Sequence, residues 1–257
     1  MMMPEGLSGI SAIEVDREGA RATLISDRGR IYTMDLLRAA DGTIASLVLR
    51  SSALLLGADG APLPRPRNDA EGLAEIGPGR FAISFEQDHR IDIHSADGRW
   101  IGPLTQPMPA LGLLKNLGIE AIAALNQGRL WWCIEETSAC FLHEGDRSVL
   151  IHDANLEDGF RVTGADAHPG GGVVILERRV SLLGFSARLR HLKPLQGGGF
   201  SSITLRTWAW GEAGNLEGVG LWVDAAGRLR AVLVEDNNFS PLQGNRLYEV
   251  ILDAKAP

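Results

Sequence analysis

The chain has 257 residues, 45% of them hydrophobic and 22% charged, with 31 glycines and a formal net charge of -7. This composition describes a turn-rich globular protein long enough to bury a full core, and it excludes a disordered or fibrous chain. The acidic balance, without a concentrated basic face, excludes a nucleic-acid partner, and no apolar run approaches the roughly 20 residues that a membrane span requires.

The chain opens on "MMMPEGLSGI", which has neither a basic n-region nor an apolar h-region, so no signal peptide is expected within it. The pentad "GLSGI" is followed by a glycine turn, "REGAR", then by the β-type run "ATLIS", which ends at Asp27, and by the alternating segment "RIYTMDLL". "IASLVLRSSALLLGA" is broken by Arg50 and two serines and reads as a strand and its neighbour. The same order then recurs. "AEGLA", "GPGR" and "FAISF" lead to Glu86 and to "HRIDIHS"; "GIEAI", "NQGR" and "LWWCI" lead to Glu135. "TGADA", "PGGG" and "VVIL" lead to Glu177, and "LEGVG", "DAAGR" and "AVLV" lead to Glu235 and Asp236, then to "NRLYEVIL".

With Ser8, Glu71, Glu120, Asp166 and Glu217 taken as equivalent, the steps are 63, 49, 46 and 51 residues, the period of propeller blades. Each unit reads as an inner strand, a glycine turn, a second strand with an acidic exit, and one or two outer strands. The expected fold is therefore all-β. It is a single β-propeller over residues 1–257, with antiparallel sheets around a central channel and only short, protected edges. Five blades is the count, and six is the alternative if the long first unit hides another. The last unit is one strand short, and the chain begins at an inner strand.

The two cysteines lie in "WWCIEETSACFL". A two-residue hairpin at Glu136 and Thr137 pairs 135 with 138, 134 with 139 and 133 with 140, so the two thiols face each other. They can bridge in an oxidising compartment or serve as two small buried hydrophobes.

Inner strands of a propeller run in one sense, so Glu71, Glu120, Asp166 and Glu217 converge at one end of the channel. Two unit charges 4 Å apart interact by about 4 kcal/mol at an effective dielectric of 20, so such acids must hold protons, recruit cations or bind a metal. Oxygen-only ligands suit calcium, and the repeated motif lacks the histidines and thiols that zinc prefers. The alternative is structural, with each acid accepting backbone N–H groups of the next blade. At the exits, Glu86, Glu177, Arg178, Asp236 and Asn237 are candidates for substrate contact, the guanidinium suiting a carboxylate or phosphate; simple charge balancing is the alternative. His168, two residues after Asp166, reads as a turn or core residue. No G-x-S-x-G elbow, P-loop, dinucleotide fingerprint or HExxH motif is present.

The segments "GLSGI" with "SDRGRIY", "DAEGLAEI" with "SFEQDHRI", "GIEAIAAL" and "ILERRVSLLGFSARL" resemble the phytase-like family known as esterase-like activity of phytase proteins. So, most specifically, do "LEGVGLW" and "VEDNNFSPLQGNRLYEV". The resemblance spans nearly the whole chain. It implies a β-propeller, export to the bacterial periplasm or beyond, and hydrolysis of phosphomonoesters or carboxylic esters. It points to Glu71, Glu120, Asp166, Glu217, Glu86, Glu177, Arg178, Asp236 and Asn237. The dense Asp, Tyr and Lys motifs of calcium-dependent propeller phytases are absent. The leading expectation is a monomeric, calcium-assisted hydrolase of a small anionic or ester substrate. The alternatives are a calcium-dependent lactonase or arylesterase, to which Asn215 and Asn237 could add ligands, and a non-catalytic binding or scaffold propeller.

Overall fold

The structure is a computed structural model that describes residues 1–105, 118–135, 137–145, 147–153, 159–182, 184–195, 199–236 and 245–252. It is all-β, with five antiparallel sheets in a ring and no α-helix among the described residues. Blade 1 contains β1 (Ile10–Val15), β2 (Arg21–Ser26), β3 (Arg30–Arg38) and β4 (Ile44–Leu54). Blade 2 contains β5 (Ala70–Gly77), β6 (Arg80–Phe85), β7 (Arg90–Ser95) and β8 (Trp100–Thr105). Blade 3 contains β9 (Ile119–Ala124), β10 (Leu130–Ile134), β11 (Ala139–Glu144) and β12 (Arg147–Asp153). Blade 4 contains β13 (Arg161–Ala167), β14 (Val173–Ser181), β15 (Gly184–Pro194) and β16 (Phe200–Trp208). Blade 5 has three strands, β17 (Asn215–Val223), β18 (Leu229–Asp236) and β19 (Arg246–Leu252). The first strands β1, β5, β9, β13 and β17 pack side by side, and β17 returns to β1. The sequence therefore contains five blades; the long first unit hides no sixth.

Each inner strand joins its second strand through a glycine held at positive φ: Gly19, Gly79, Gly128, Gly172 and Gly227. Only glycine takes that backbone region without a steric cost, which is why the turns repeat. The second strands are nearly continuous apolar runs because both of their faces are covered. On β18, Ala231 and Leu233 pack toward blade 4, while Val232 and Val234 pack toward blade 1. The core is accordingly five wedges, one between each pair of neighbouring blades.

Blade 5 is completed from the other end of the chain. The Met1 amino group donates to the Leu247 carbonyl (2.7 Å), Leu247 N–H donates to the Met1 carbonyl (2.8 Å) and Met3 N–H donates to the Asn245 carbonyl (3.0 Å). The first residues thus run antiparallel along the outer edge of β19 and tie the last blade to the first, with Met2 bridging Arg246. In blade 3, Cys133 pairs with Cys140 across β10 and β11, and the two are joined by a disulfide. Glu136, in the expected hairpin loop, lies outside the described residues.

Candidate functional site

Every inner strand interrupts its ladder at the same level. The register with the second strand shifts between Ile10 and Ala12, between Ala70 and Leu73, across Glu120, between Val162 and Gly164, and between Leu216 and Gly218. The bulged residues are Ser11, Glu71 with Gly72, Glu120, Thr163 and Glu217. A bulge leaves a residue out of the ladder and re-aims its side chain, here toward the axis. In blades 2, 4 and 5 a glycine at this level permits close approach. A Cβ on Gly72 would lie 2.9 Å from the Glu120 carbonyl oxygen, one on Gly164 2.7 Å from that of Glu217, and one on Gly218 2.8 Å from Ala12 Cα. The inner strands consequently close the channel to a cavity of about 10 Å³, lined in part by these glycines and Glu120. That is room for about one water.

A second ring stands just outside the first. The residues facing Ile10, Ala70, Ile119, Val162 and Leu216 across the ladder are Ser26, Phe85, Ile134, Glu177 and Glu235. Each is followed by an exit residue: Asp27, Glu86, Glu135, Arg178 and Asp236. Four exits are acids. In blade 4 the same place holds Arg178, which bonds Glu217 and the Asn215 Oδ1 and lies 3.8 Å from Glu135. Asp69, at the head of β5, adds a further carboxylate, and its oxygen, with one each from Glu71 and Glu86, falls in a group spanning no more than 4.8 Å. The Gln87 amide donates to Asp69 (3.0 Å) and Glu86 (3.3 Å), fixing both.

Crowding of buried carboxylates raises their proton affinity. Burial, reinforced by Asp69 and Glu135, pushes Glu86 up to about 7. Burial, with Asp236 and Asp69, takes Asp27 to about 7, and its Oδ1 is buried without a hydrogen-bond partner. Burial holds Glu71 and Glu120 well above the ordinary carboxylate range, Glu71 being further raised by Glu120 and Asp69, and Glu120 by Glu135 and Glu217. Glu217 is raised by burial to about 7 even though Arg178 opposes the shift.

Of the four acids expected to converge, the structure gathers Glu71, Glu120 and Glu217. Asp166 is elsewhere. It lies three residues beyond the Thr163 bulge, where its Oδ2 accepts the Leu221 N–H of the next blade and its Oδ1 the Ala167 N–H, both at 2.6 Å. Its charge is felt by Glu14, which in turn accepts the Glu75 N–H at 2.8 Å. These two acids staple neighbouring blades at the far end of the channel. Matching acid to acid misses the equivalence, because the shared feature is the bulge itself, so Thr163 and Ser11 take the places of Asp166 and Ser8. Glu177 is displaced in the same way. It sits one residue before the exit, buried, with Arg188 Nε at 2.7 Å and Arg190 at 2.6 Å on its two oxygens, inside its own blade. Glu86, Arg178 and Asp236 stand in the exit ring, while Asn237 lies outside the described residues. Asp69 was missed by sequence reasoning, although "DAE" in a strand puts Asp69 and Glu71 on one face. His168, in the β13–β14 turn, stacks on His191 of β15, centroids 3.9 Å apart.

A family model described as phytase-like, esterase-like activity of phytase, matches residues 5–239. No curated protein matches the chain. Among solved structures, an endo-arabinase from Bacteroides thetaiotaomicron is similar at 13% identity and a TM-score of 0.58, with 98% of this chain and 96% of that one covered. A catalytically inactive virginiamycin B lyase from Staphylococcus aureus, solved with quinupristin, is similar at 13% identity and a TM-score of 0.51, covering 99% and 88%. Identities this low establish a shared fold and say nothing of activity. The match to the family model over most of the chain does more, and with five repeated blades around a carboxylate-lined mouth it shows that this protein belongs to the phytase-like family.

Proposed function

We propose that the channel mouth is a divalent-cation site, most naturally for calcium, and that the protein hydrolyses an ester there, phosphomonoester or carboxylic. The observation that carries this reading is the oxygen group of Asp69, Glu71 and Glu86 within a wider ring of Asp27, Glu120, Glu135, Glu217 and Asp236. The donor set fits a hard cation. It consists of oxygens alone, its span suits metal–oxygen bonds of about 2.3–2.6 Å, and the orphaned Asp27 Oδ1 shows carboxylate capacity that protein groups leave unmet.

Asp69, Glu71 and Glu86 would hold the ion, with Gln87 orienting two of them. When bound, such a cation supplies Lewis-acid polarisation of the scissile group and a more acidic water. Glu217, held near 7, accepts a proton from the attacking water at neutral pH. Arg178, fixed by Glu217 and Asn215, presents its guanidinium to charge that develops on the substrate oxygen. Asp166 and Glu177 have structural partners and take no part. The Cys133–Cys140 bridge supports an exported protein, periplasmic or secreted. No helix among the described residues is long and apolar enough to cross a membrane.

The test is release of p-nitrophenol from p-nitrophenyl phosphate and p-nitrophenyl acetate with calcium, with EDTA and after calcium add-back. Turnover that EDTA abolishes and calcium restores, and that Glu71→Gln and Glu86→Gln lose, is expected. Absence of calcium binding by calorimetry together with no calcium-dependent turnover overturns the reading.

A further inference from the structure

Blade 4 departs from blades 1 to 3 at the mouth. In blades 1 to 3 the second strand ends at Ser26, Phe85 or Ile134 and the third begins by Arg30, Arg90 or Ala139. In blade 4 the ladder continues past the exit level through Arg178–Ala187, Arg179–Ser186, Val180–Phe185 and Ser181–Gly184. At about 3.4 Å per residue, these four pairs raise a two-stranded arm on the order of 10 Å above the rim. The arm is braced, because Gly211 N–H donates to the Phe185 carbonyl and the Ser186 hydroxyl to the Trp208 carbonyl, each at 2.9 Å. Arg179 is held between the rings of Phe160 (4.5 Å) and Trp210 (4.6 Å).

Side chains two apart on a strand, and directly opposite across a ladder, share a face. Arg178, Val180 and Phe185 therefore share one, and Arg178 fixes its direction because it reaches into the mouth to Glu217 and Asn215. The Phe185 ring stands 5.7 Å from the Arg178 guanidinium carbon. Val180 is 70% exposed, and Leu182 at the tip is fully so. An apolar wall thus rises directly over a strongly acidic mouth. Among the described residues the acids there outnumber the arginines. Arg178 lies inside the ring, and Arg28, Arg65 and Arg161 act on it from the periphery. A polyphosphate would add further anionic charge to these crowded carboxylates; an uncharged ester would not.

We propose that the β14–β15 arm is the specificity element of the site. On this reading the substrate is an uncharged carboxylic ester whose acyl or aryl group packs against Val180 and Phe185 while the ester group reaches the mouth, and inositol hexakisphosphate and similar polyanions are excluded. This rests on the hydrolytic reading above. In the reaction, water oxygen bonds to the acyl carbon and the acyl–oxygen bond breaks. One water proton ends on the departing alcohol and the other is released as the acid ionises.

The experiment compares p-nitrophenyl octanoate, p-nitrophenyl acetate and inositol hexakisphosphate as substrates of the wild type and of Val180→Asp, with calcium binding by calorimetry as the control that the mouth is intact. Octanoate ester should have the highest kcat/KM, and Val180→Asp should lower that value about fivefold or more while sparing the acetate ester and calcium binding. Faster hydrolysis of inositol hexakisphosphate than of either ester, or equal loss of both esters in Val180→Asp, overturns the proposal. Binding of octananilide, an uncharged amide, separates the two readings. If wild type binds it and Val180→Asp does not, the arm's role in recognition stands even without turnover. If acetate ester is hydrolysed but octananilide does not bind, the arm fails alone and the hydrolytic reading survives.

Discussion

Glu71 and Glu217 occupy equivalent bulges, yet they have different partners. Glu71 is surrounded by acids, whereas Glu217 is bonded by Arg178 and by the Asn215 amide at 2.6 Å. Neutralising them should therefore have opposite effects. Glu71→Gln removes mutual repulsion, so in EDTA its melting temperature should equal or exceed that of wild type while calcium affinity falls about tenfold or more. Glu217→Gln strips Arg178 of its closest carboxylate and should cost about 1–3 kcal/mol even without metal. Thermal melts in EDTA and calcium calorimetry on both variants check this; equal apo stability of the two variants would contradict it.

At the scale of the strand, the bulge and the glycine beside it in blades 2, 4 and 5 act as one device, turning a side chain out of the ladder while the backbones close around it. Gly218→Ala would place Cβ 2.8 Å from Ala12 Cα, a backbone contact that can yield only by moving β1 or β17. We expect a loss of about 1–3 kcal/mol in urea unfolding, against less than about 0.5 kcal/mol for Gly102→Ala, whose Cβ meets nothing within 4 Å. The Cys133–Cys140 bridge closes a short loop, sequence separation 7, so the chain-entropy model predicts about 2 kcal/mol of stabilisation. Unfolding with and without dithiothreitol measures it, and no change on reduction would show that the hairpin is already held by the packing of Trp131 and Trp132.

For the whole molecule, the mouth makes stability depend on pH and on metal together. Asp27, Glu86 and Glu217 each lie near 7 when folded and near 4 when unfolded, so the folded state binds their protons more tightly. Stability of the metal-free protein should therefore fall as pH rises from about 4.5 to 7.5, by on the order of 5 °C or more in melting temperature. Calcium binds the ionised carboxylates, so its stabilisation should grow over the same interval and offset the decline. A pH series with EDTA and with calcium reads both slopes; a metal-free protein more stable at pH 7.5 than at 5 would contradict the crowding of acids at the mouth.

Period and local chemistry were sufficient for the architecture. Glycine turns, apolar runs covered on two faces and acidic exits recur because each blade is built by the same local rules, and those rules act on neighbours in sequence. The Cys133–Cys140 register was legible for the same reason. The site was legible only in part. Glu71, Glu120 and Glu217 could be matched from the sequence, but whether an acid near a strand head faces the axis or a neighbouring backbone depends on a one-residue bulge, and a slip of that size moves every side chain to another face. Asp166 and Glu177 were misplaced on that ground. Only the ring, with Met1–Met3 closing it against β19, brings Arg178 among acids from other blades and raises the β14–β15 arm over them. These are contacts between residues far apart in the chain, and no local pattern encodes them.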